Sequence, residues 1–186
     1  MPPKLRITKD DIIEKSVEIV RRDGSGALNT RSVAKELGCS TQPIFSNFKN
    51  FGELRDAVIS RANETYGKYV TREEKSGKYP PYKAQGMAYI KFASEERELF
   101  KLLYMRDRTV AEQKDESELE DIYGLISESV GISREAARLF HLETWAFVHG
   151  IAVMTATGYC RLDEELIGGM LTDVFRGLSA EFRERK

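Results

Sequence analysis

Residues 29–49 gather side chains able to read the edges and phosphates of a nucleic acid. Arg31 carries parallel N–H donors that match O6 and N7 of guanine, and Gln42 can pair in the same bidentate way with N6 and N7 of adenine. Thr41 or Pro43 can meet a thymine methyl. Asn29, Thr30, Ser40, Ser46, Asn47 and Lys49 are of types that bond phosphate oxygens or base edges, and Phe45 lies among them. One good bidentate contact discriminates by about 1–3 kcal/mol, so a few suffice for sequence preference. The competing reading of each residue taken singly is a solvated polar side chain.

These residues need short, firmly anchored helices to hold them. Val33, Ala34 and Leu37 share one face of a helix expected over 30–37, with Asn29 as its N-cap. Gly38 can supply the positive φ that ends it. Ser40 is expected to cap a second short helix, with Pro43 tolerated in the first turn and Ile44, Phe45 and Phe48 as the anchor. Two short helices joined by a tight turn form a helix-turn-helix, whose second helix enters the major groove. The backbone N–H groups that open both helices can also face phosphates. A preceding helix over 8–23 has Thr8 and Asp11 as a capping pair. Its core stripe is Ile13, Val17 and Val20, with Ile12 and Ile19 at the edges. Asn50 and Glu53 form a similar pair opening a long helix over 51–75, with Leu54, Val58, Ala62 and Tyr66 on one face.

Over roughly residues 8–58 the chain resembles the TetR family of bacterial transcription regulators. The family's Thr-x-Arg-x-Ile-Ala opening appears as Asn29-Thr30-Arg31-Ser32-Val33-Ala34, and its Leu-Tyr-x-x-Phe recognition helix as Ile44-Phe45-Ser46-Asn47-Phe48. Phe45 replaces the family's tyrosine, which removes a phenol–phosphate hydrogen bond. Phe51 replaces a lysine, leaving Lys49 as its candidate substitute at phosphate. Trp145, His149 and Gly150 resemble a Trp…His-Gly signature of one family subgroup. The resemblance implies a three-helix head, a linking fourth helix, and a body whose last two helices build a homodimer's four-helix bundle. It also implies a cytoplasmic repressor on a palindromic operator in double-stranded DNA, released by a small-molecule inducer.

Beyond residue 72 the sequence reads as a body of helices. Residues 73–81, with Gly77 and Pro80-Pro81, mark a break. Helices are expected over 82–93, 95–104 capped by Ser94, 118–130 opened by Ser117 and Glu120, 133–158, and 162–182. Tyr89, Phe92, Tyr104, Trp145 and His149 are the candidate ligand-pocket residues. Most join an apolar body to a polar tip, although an ordinary helix core contains the same types. The last helix repeats Leu162, Leu166, Met170, Val174, Leu178 and Phe182 at steps of four, beside a row of Ile167, Leu171 and Phe175. Two apolar rows imply two faces to bury, one of them against a second copy. Ala152, Leu166, Met170, Val174 and Leu178 are the expected dimer contacts.

Charge divides along the chain. Of 29 Lys/Arg and 30 Asp/Glu, residues 1–51 hold nine and six, so the head is basic and the remainder acidic. Residues 1–7 form a short basic arm able to reach phosphates or a minor groove. No apolar run approaches the roughly 20 residues of a membrane span, and Met1-Pro-Pro-Lys-Leu-Arg6 lacks a signal-peptide core. Cys39 is expected to pack in the turn as a small hydrophobe, with Cys160 near a helix end; two such cysteines make no disulfide framework. Catalysis, metals and cofactors are not expected. His141 and His149 lie two turns apart with no i+4 ligand partner, and Gly-rich phosphate loops, G-x-S-x-G and CxxC do not occur. The fold expected is all-α, with a DNA-binding domain at 1–52 and a ligand-binding and dimerisation domain at 53–186. The alternatives are the same fold binding DNA without an inducer, and a helical ligand-binding protein or enzyme with a degenerate head.

Overall fold

The computed structural model describes residues 7–107 and 119–185. The arm's residues 1–6, most of the polar loop and Ser117 lie outside them. Among the described residues there are nine α-helices, one 3-10 turn and no strand: α1 (Lys9–Asp23), α2 (Thr30–Glu36), α3 (Gln42–Asn47), α4 (Phe51–Ser76), α5 (Pro81–Glu95), α6 (Arg97–Tyr104), α7 (Glu120–Val130), α8 (Arg134–Thr157) and α9 (Glu164–Glu184). The chain divides into two compact units. Unit 1 takes residues 1–67 and 96–106, and unit 2 takes 68–95 and 107–186, so α4 contributes to both.

In unit 1 the helix starts follow from hydrogen bonds between near neighbours. The Asp11 amide donates to Thr8 Oγ1 at 3.1 Å, while the Thr8 amide donates to Asp11 Oδ2 at 2.8 Å. Asn29 and Ser32 do the same for α2. Helix α1 packs against α2, α3 and α6. Enclosure on several sides draws in Ile12 and Ile19, expected at the edges: they are 0% and 1% exposed, against 8% for Ile13. Each such side chain stabilises by about 1.5–3 kcal/mol when fully buried. An exposed ion pair such as Lys9–Glu53 at 3.4 Å contributes about 1 kcal/mol or less, so the apolar core dominates.

Helix α6 is the part of unit 1 farthest away in sequence. It was expected to begin at Glu95 under a Ser94 cap. Instead α5 runs through Ser94 to Glu95, and Glu96 precedes α6 without a side-chain cap bond. Glu96 is held by Arg21 from the end of α1, through bonds of 2.8 and 2.9 Å from Nε and Nη2. Leu99 and Phe100 are fully buried.

Unit 2 is built around α8, which packs on α5 and α7. Ser133 caps α8 by accepting from the Ala136 amide at 3.1 Å, and Gly158, at φ +73°, lets the chain leave its far end. Tyr123, Ile126, Val130, Ala137, Phe140 and Phe182 form one core cluster. The buried hydroxyls of Thr144, Thr155 and Ser179 donate to the carbonyl four residues back, at 2.9, 2.9 and 2.7 Å, so none costs an unmet hydrogen bond. The expected break at 73–81 starts later: Glu73 is buried in α4, and the chain turns at Gly77 with φ +63°.

Helix α9 corrects the four-step stripe. Four residues advance a helix by about 400°, so a strict four-step row drifts about 40° per step. The row therefore winds from Leu166, 49% exposed, through half-buried Met170, Val174 and Leu178, to Phe182 at 5% in the core. Ala152, expected at the dimer contact, is 0% exposed inside the unit and has no surface to offer a partner.

Candidate nucleic-acid interface

The turn between α2 and α3 closes through the chain itself. Gly38 adopts φ +63°, its amide donates to the Lys35 carbonyl at 3.1 Å, and the Cys39 amide donates to Ala34 at 3.0 Å. Cys39 is half-buried there, and Cys160 is also half-buried; the two are not joined in a disulfide. Ser40, the expected cap of α3, is exposed and one residue early. Thr41 holds the N-cap position without a side-chain bond, and the α3 amides of Ile44 and Phe45 donate to its carbonyl. Pro43 sits in the first turn, where its missing N–H is not needed.

Helix α3 has two contrasting faces. Ile44 and Phe48 are each 1% exposed and hold it to unit 1, whereas Phe45, expected with them as anchor, is 53% exposed. One turn separates Gln42 from Phe45 and Ser46, and all three are exposed. Exposed Lys49 follows the helix, and exposed Arg31 sits in the first turn of α2. Thr30, Thr41, Pro43 and Asn47 are half-buried.

Several of these polar groups already serve the backbone. Asn29 Oδ1 accepts from the amides of Arg31 and Ser32 at 3.0 and 2.9 Å, and its Nδ2 donates to Ala27 at 3.2 Å. Ser46 Oγ donates to the Gln42 carbonyl at 3.0 Å, and Asn47 Nδ2 to the Pro43 carbonyl at 2.8 Å. Glu53 fixes the segment after α3. Its Oε2 accepts from the Lys49 amide at 2.7 Å, a bond that, with Lys9 at Oε1, holds its carboxyl below the ordinary range. The Lys9 ammonium stands 4.8 Å from the centre of the Phe48 ring, a cation–π contact just beyond the end of α3. Sequence reading missed Lys9, since it and Glu53 are 44 residues apart with no local pattern linking them.

The expected pocket residues are divided between the units. Tyr104 belongs to unit 1, edge-on to Tyr66 with ring centres 6.2 Å apart. Tyr89 and Phe92 lie in unit 2 on α5, 6% and 0% exposed. The Tyr89 hydroxyl meets His149 Nδ1 at 3.0 Å. Trp145 stacks on His149, centres 4.8 Å apart and planes 9° from parallel, while remaining 42% exposed. A second tyrosine–histidine rung was not foreseen: the Tyr82 hydroxyl meets His141 Nδ1, also at 3.0 Å. Its signal was present in the sequence. Tyr82 and Tyr89 are two turns apart on one helix, and His141 and His149 two turns apart on another. Burial pushes the Tyr82 phenol up from its ordinary value.

An open groove of about 620 Å³ lies elsewhere among the described residues of unit 2, lined by Lys78, Tyr79, Lys83, Glu164 and Thr172 among others. Lys78 Nζ bonds Glu164 at 2.7 Å and Lys91 bridges Glu73 and Glu164 at 2.9 and 3.2 Å. The bond from Lys78, opposed by partial burial and aided by Lys91 and Tyr79, holds the Glu164 carboxyl down at about 2.

Residues 82–175 match the family model described as "Tetracyclin repressor-like, C-terminal domain". The chain belongs to the TetR family of transcriptional regulators. Within the curated proteins, 59 residues are 36% identical to the HTH-type transcriptional repressor DrrR1 of Streptomyces coeruleorubidus. That match covers 32% of this chain and only 22% of the relative. Among solved structures, the multidrug binding protein EbrR complexed with imidazole has the same fold, with a TM-score of 0.61 at 19% identity, covering 89% of this TetR-family chain and 93% of that one. No described helix is long and apolar enough to cross a membrane.

Proposed function

We propose that this TetR-family chain is a cytoplasmic, homodimeric repressor that binds a palindromic operator through α3 and the start of α2. One observation carries the reading: Ile44 of α3 and Phe48 just after it are buried almost completely while Gln42, Phe45 and Ser46 turn outward, with Arg31 and Lys49 exposed nearby. Arg31 and Gln42 are the base readers and Lys49 the phosphate anchor. Asn29 acts by holding α2 in shape, because its amide group is engaged by the cap. The name of DrrR1 supports repression as the mode of action.

The partner copy covers the open apolar faces of α8 and α9. Leu139, Leu142 and Trp145 are 45%, 57% and 42% exposed, and Leu166 is 49% exposed with Met170 and Val174 beside it. Contiguous exposed apolar surface of this kind marks an interface. A two-fold dimer presents its recognition helices to successive major grooves about 34–36 Å apart. A small-molecule inducer, supported by the multidrug binding title of EbrR and the Tyr89–His149–Trp145 chain, favours a state that misfits this spacing. Tight packing of Tyr89 and Phe92 favours a second reading, in which the repressor works without an inducer.

Selection from a random-sequence duplex library at low salt, followed by a salt titration, tests the proposal. A palindrome should be enriched, with affinity falling steeply as salt rises because phosphate contacts release counterions. Enrichment of no sequence refutes the regulator. A compound that perturbs Trp145 fluorescence and raises the operator dissociation constant, typically 5–150-fold, excludes the inducer-free reading.

A further inference from the structure

We propose that Phe45 reads the C5-methyl of one thymine in each operator half-site, beside the base pair contacted by Gln42. The inference rests on the operator-binding reading above and assigns a specificity role to a residue that could otherwise only line the backbone. Phe45 is 53% exposed on α3, whereas Ile44 of the same helix and Phe48 just after it are each 1% exposed. Its ring therefore contributes little to the core. On a surface that binds bases, an apolar side chain has one specific counterpart in the major groove, the thymine methyl.

The neighbouring hydrogen bonds favour this assignment. Ser46 Oγ and Asn47 Nδ2 donate back to the carbonyls of Gln42 and Pro43, at 3.0 and 2.8 Å. Those donors serve α3 itself, so the centre of the outward face is apolar. Phe45 follows Gln42 by three residues, which places their Cβ atoms about 5–6 Å apart on one face. Base pairs are stacked about 3.4 Å apart, so neighbouring side chains on a groove-bound helix reach the same or the next one or two steps. A phenyl ring also lacks a hydroxyl to bond phosphate, which leaves apolar contact as its contribution.

The test replaces each thymine of the selected operator, one at a time, by deoxyuridine, which removes only the methyl. Binding is measured by fluorescence anisotropy. For the wild-type chain one replacement per half-site should weaken binding about fourfold, the equivalent of one buried methylene. That position should lie within two steps of the pair whose preference Gln42→Ala relaxes. Phe45→Ala should bind the thymine and deoxyuridine operators alike, with its circular dichroism unchanged. Tight operator binding with no deoxyuridine-sensitive position overturns the inference while leaving the operator reading standing. Equal sensitivity in Phe45→Ala assigns the methyl to another residue and also overturns it. A chain that selects no operator overturns both readings.

Discussion

Unit 1 and unit 2 distribute their apolar residues differently. In α3 the boundary between inside and outside is sharp: Ile44 and Phe48 are buried, and the opposite face is polar except for Phe45. In α8 the inside is Thr144, Val148, Ile151 and Ala152, yet the outside still carries Leu139, Leu142 and Trp145. A helix with one polar face identifies its working surface by contrast. A helix apolar on both sides shows that two surfaces must be covered without saying by what. DNA recognition is therefore read from residue types in the head, and the roles of the body depend on which apolar surface the protomer has already covered.

The largest effect that sharpens this comparison is a cavity in the head. Phe48→Ala removes a ring that is 1% exposed and should destabilise by about 3–5 kcal/mol. Unit 1 should melt well below unit 2 and operator binding should be lost, as differential scanning calorimetry and anisotropy would show. A single unchanged transition would mean that Phe48 does not hold the head together.

Charge placed on the open face of α9 probes the other side of the comparison. Leu166→Glu should shift sedimentation from dimer to monomer with helicity preserved, because the side chain is 49% exposed in the protomer. Obligate interfaces bury roughly 2,000 Å² or more, so a wild-type chain that is monomeric at micromolar concentration contradicts the bundle.

Within the head, reader and anchor should separate. Gln42→Ala should cost about 1–3 kcal/mol and relax preference at one operator position. Lys49→Ala should weaken all sequences alike and reduce the salt slope by about one. Identical behaviour of the two variants would remove the distinction.

The parts of this picture legible in the sequence are those fixed by neighbours a few residues apart. Thr8 with Asp11, Asn29 as a cap, and the turn at Gly38 were all readable because each depends on local hydrogen bonds or one positive φ. Ser40 and Ser94 have the same residue type but the wrong geometry, since the chain had not yet turned at one and had not yet ended its helix at the other. Phe45 was misjudged as anchor because six helical residues give too few turns to phase a face. The α9 stripe was misjudged because a strict four-step row cannot follow one face of a straight helix. Attachment of α6 to unit 1 had no local signal: Arg21 and Glu96 are 75 residues apart.

The smallest effect is in acid. The carboxyl of Glu164 is held at about 2, below the ordinary value of 4.5, so it contributes stability above pH 4.5 that is lost as pH falls toward 2. Glu164→Gln should lower the unit 2 melting temperature slightly at pH 7 and flatten its fall across that window, the two chains converging toward pH 2. Because Glu164 is partly exposed, the effect should be below about 1 kcal/mol. An unaltered acid slope would mean that its pairing with Lys78 and Lys91 does not persist in solution.

The central claim is that the outward face of α3 and the start of α2 meet DNA. Hydrogen–deuterium exchange of the chain with and without its selected operator, at saturating duplex, tests it most directly. Protection should concentrate in peptides covering residues 29–49, with Leu166-containing peptides protected equally in both samples by the dimer. Protection that leaves 29–49 unchanged and appears instead on unit 2 would contradict the account.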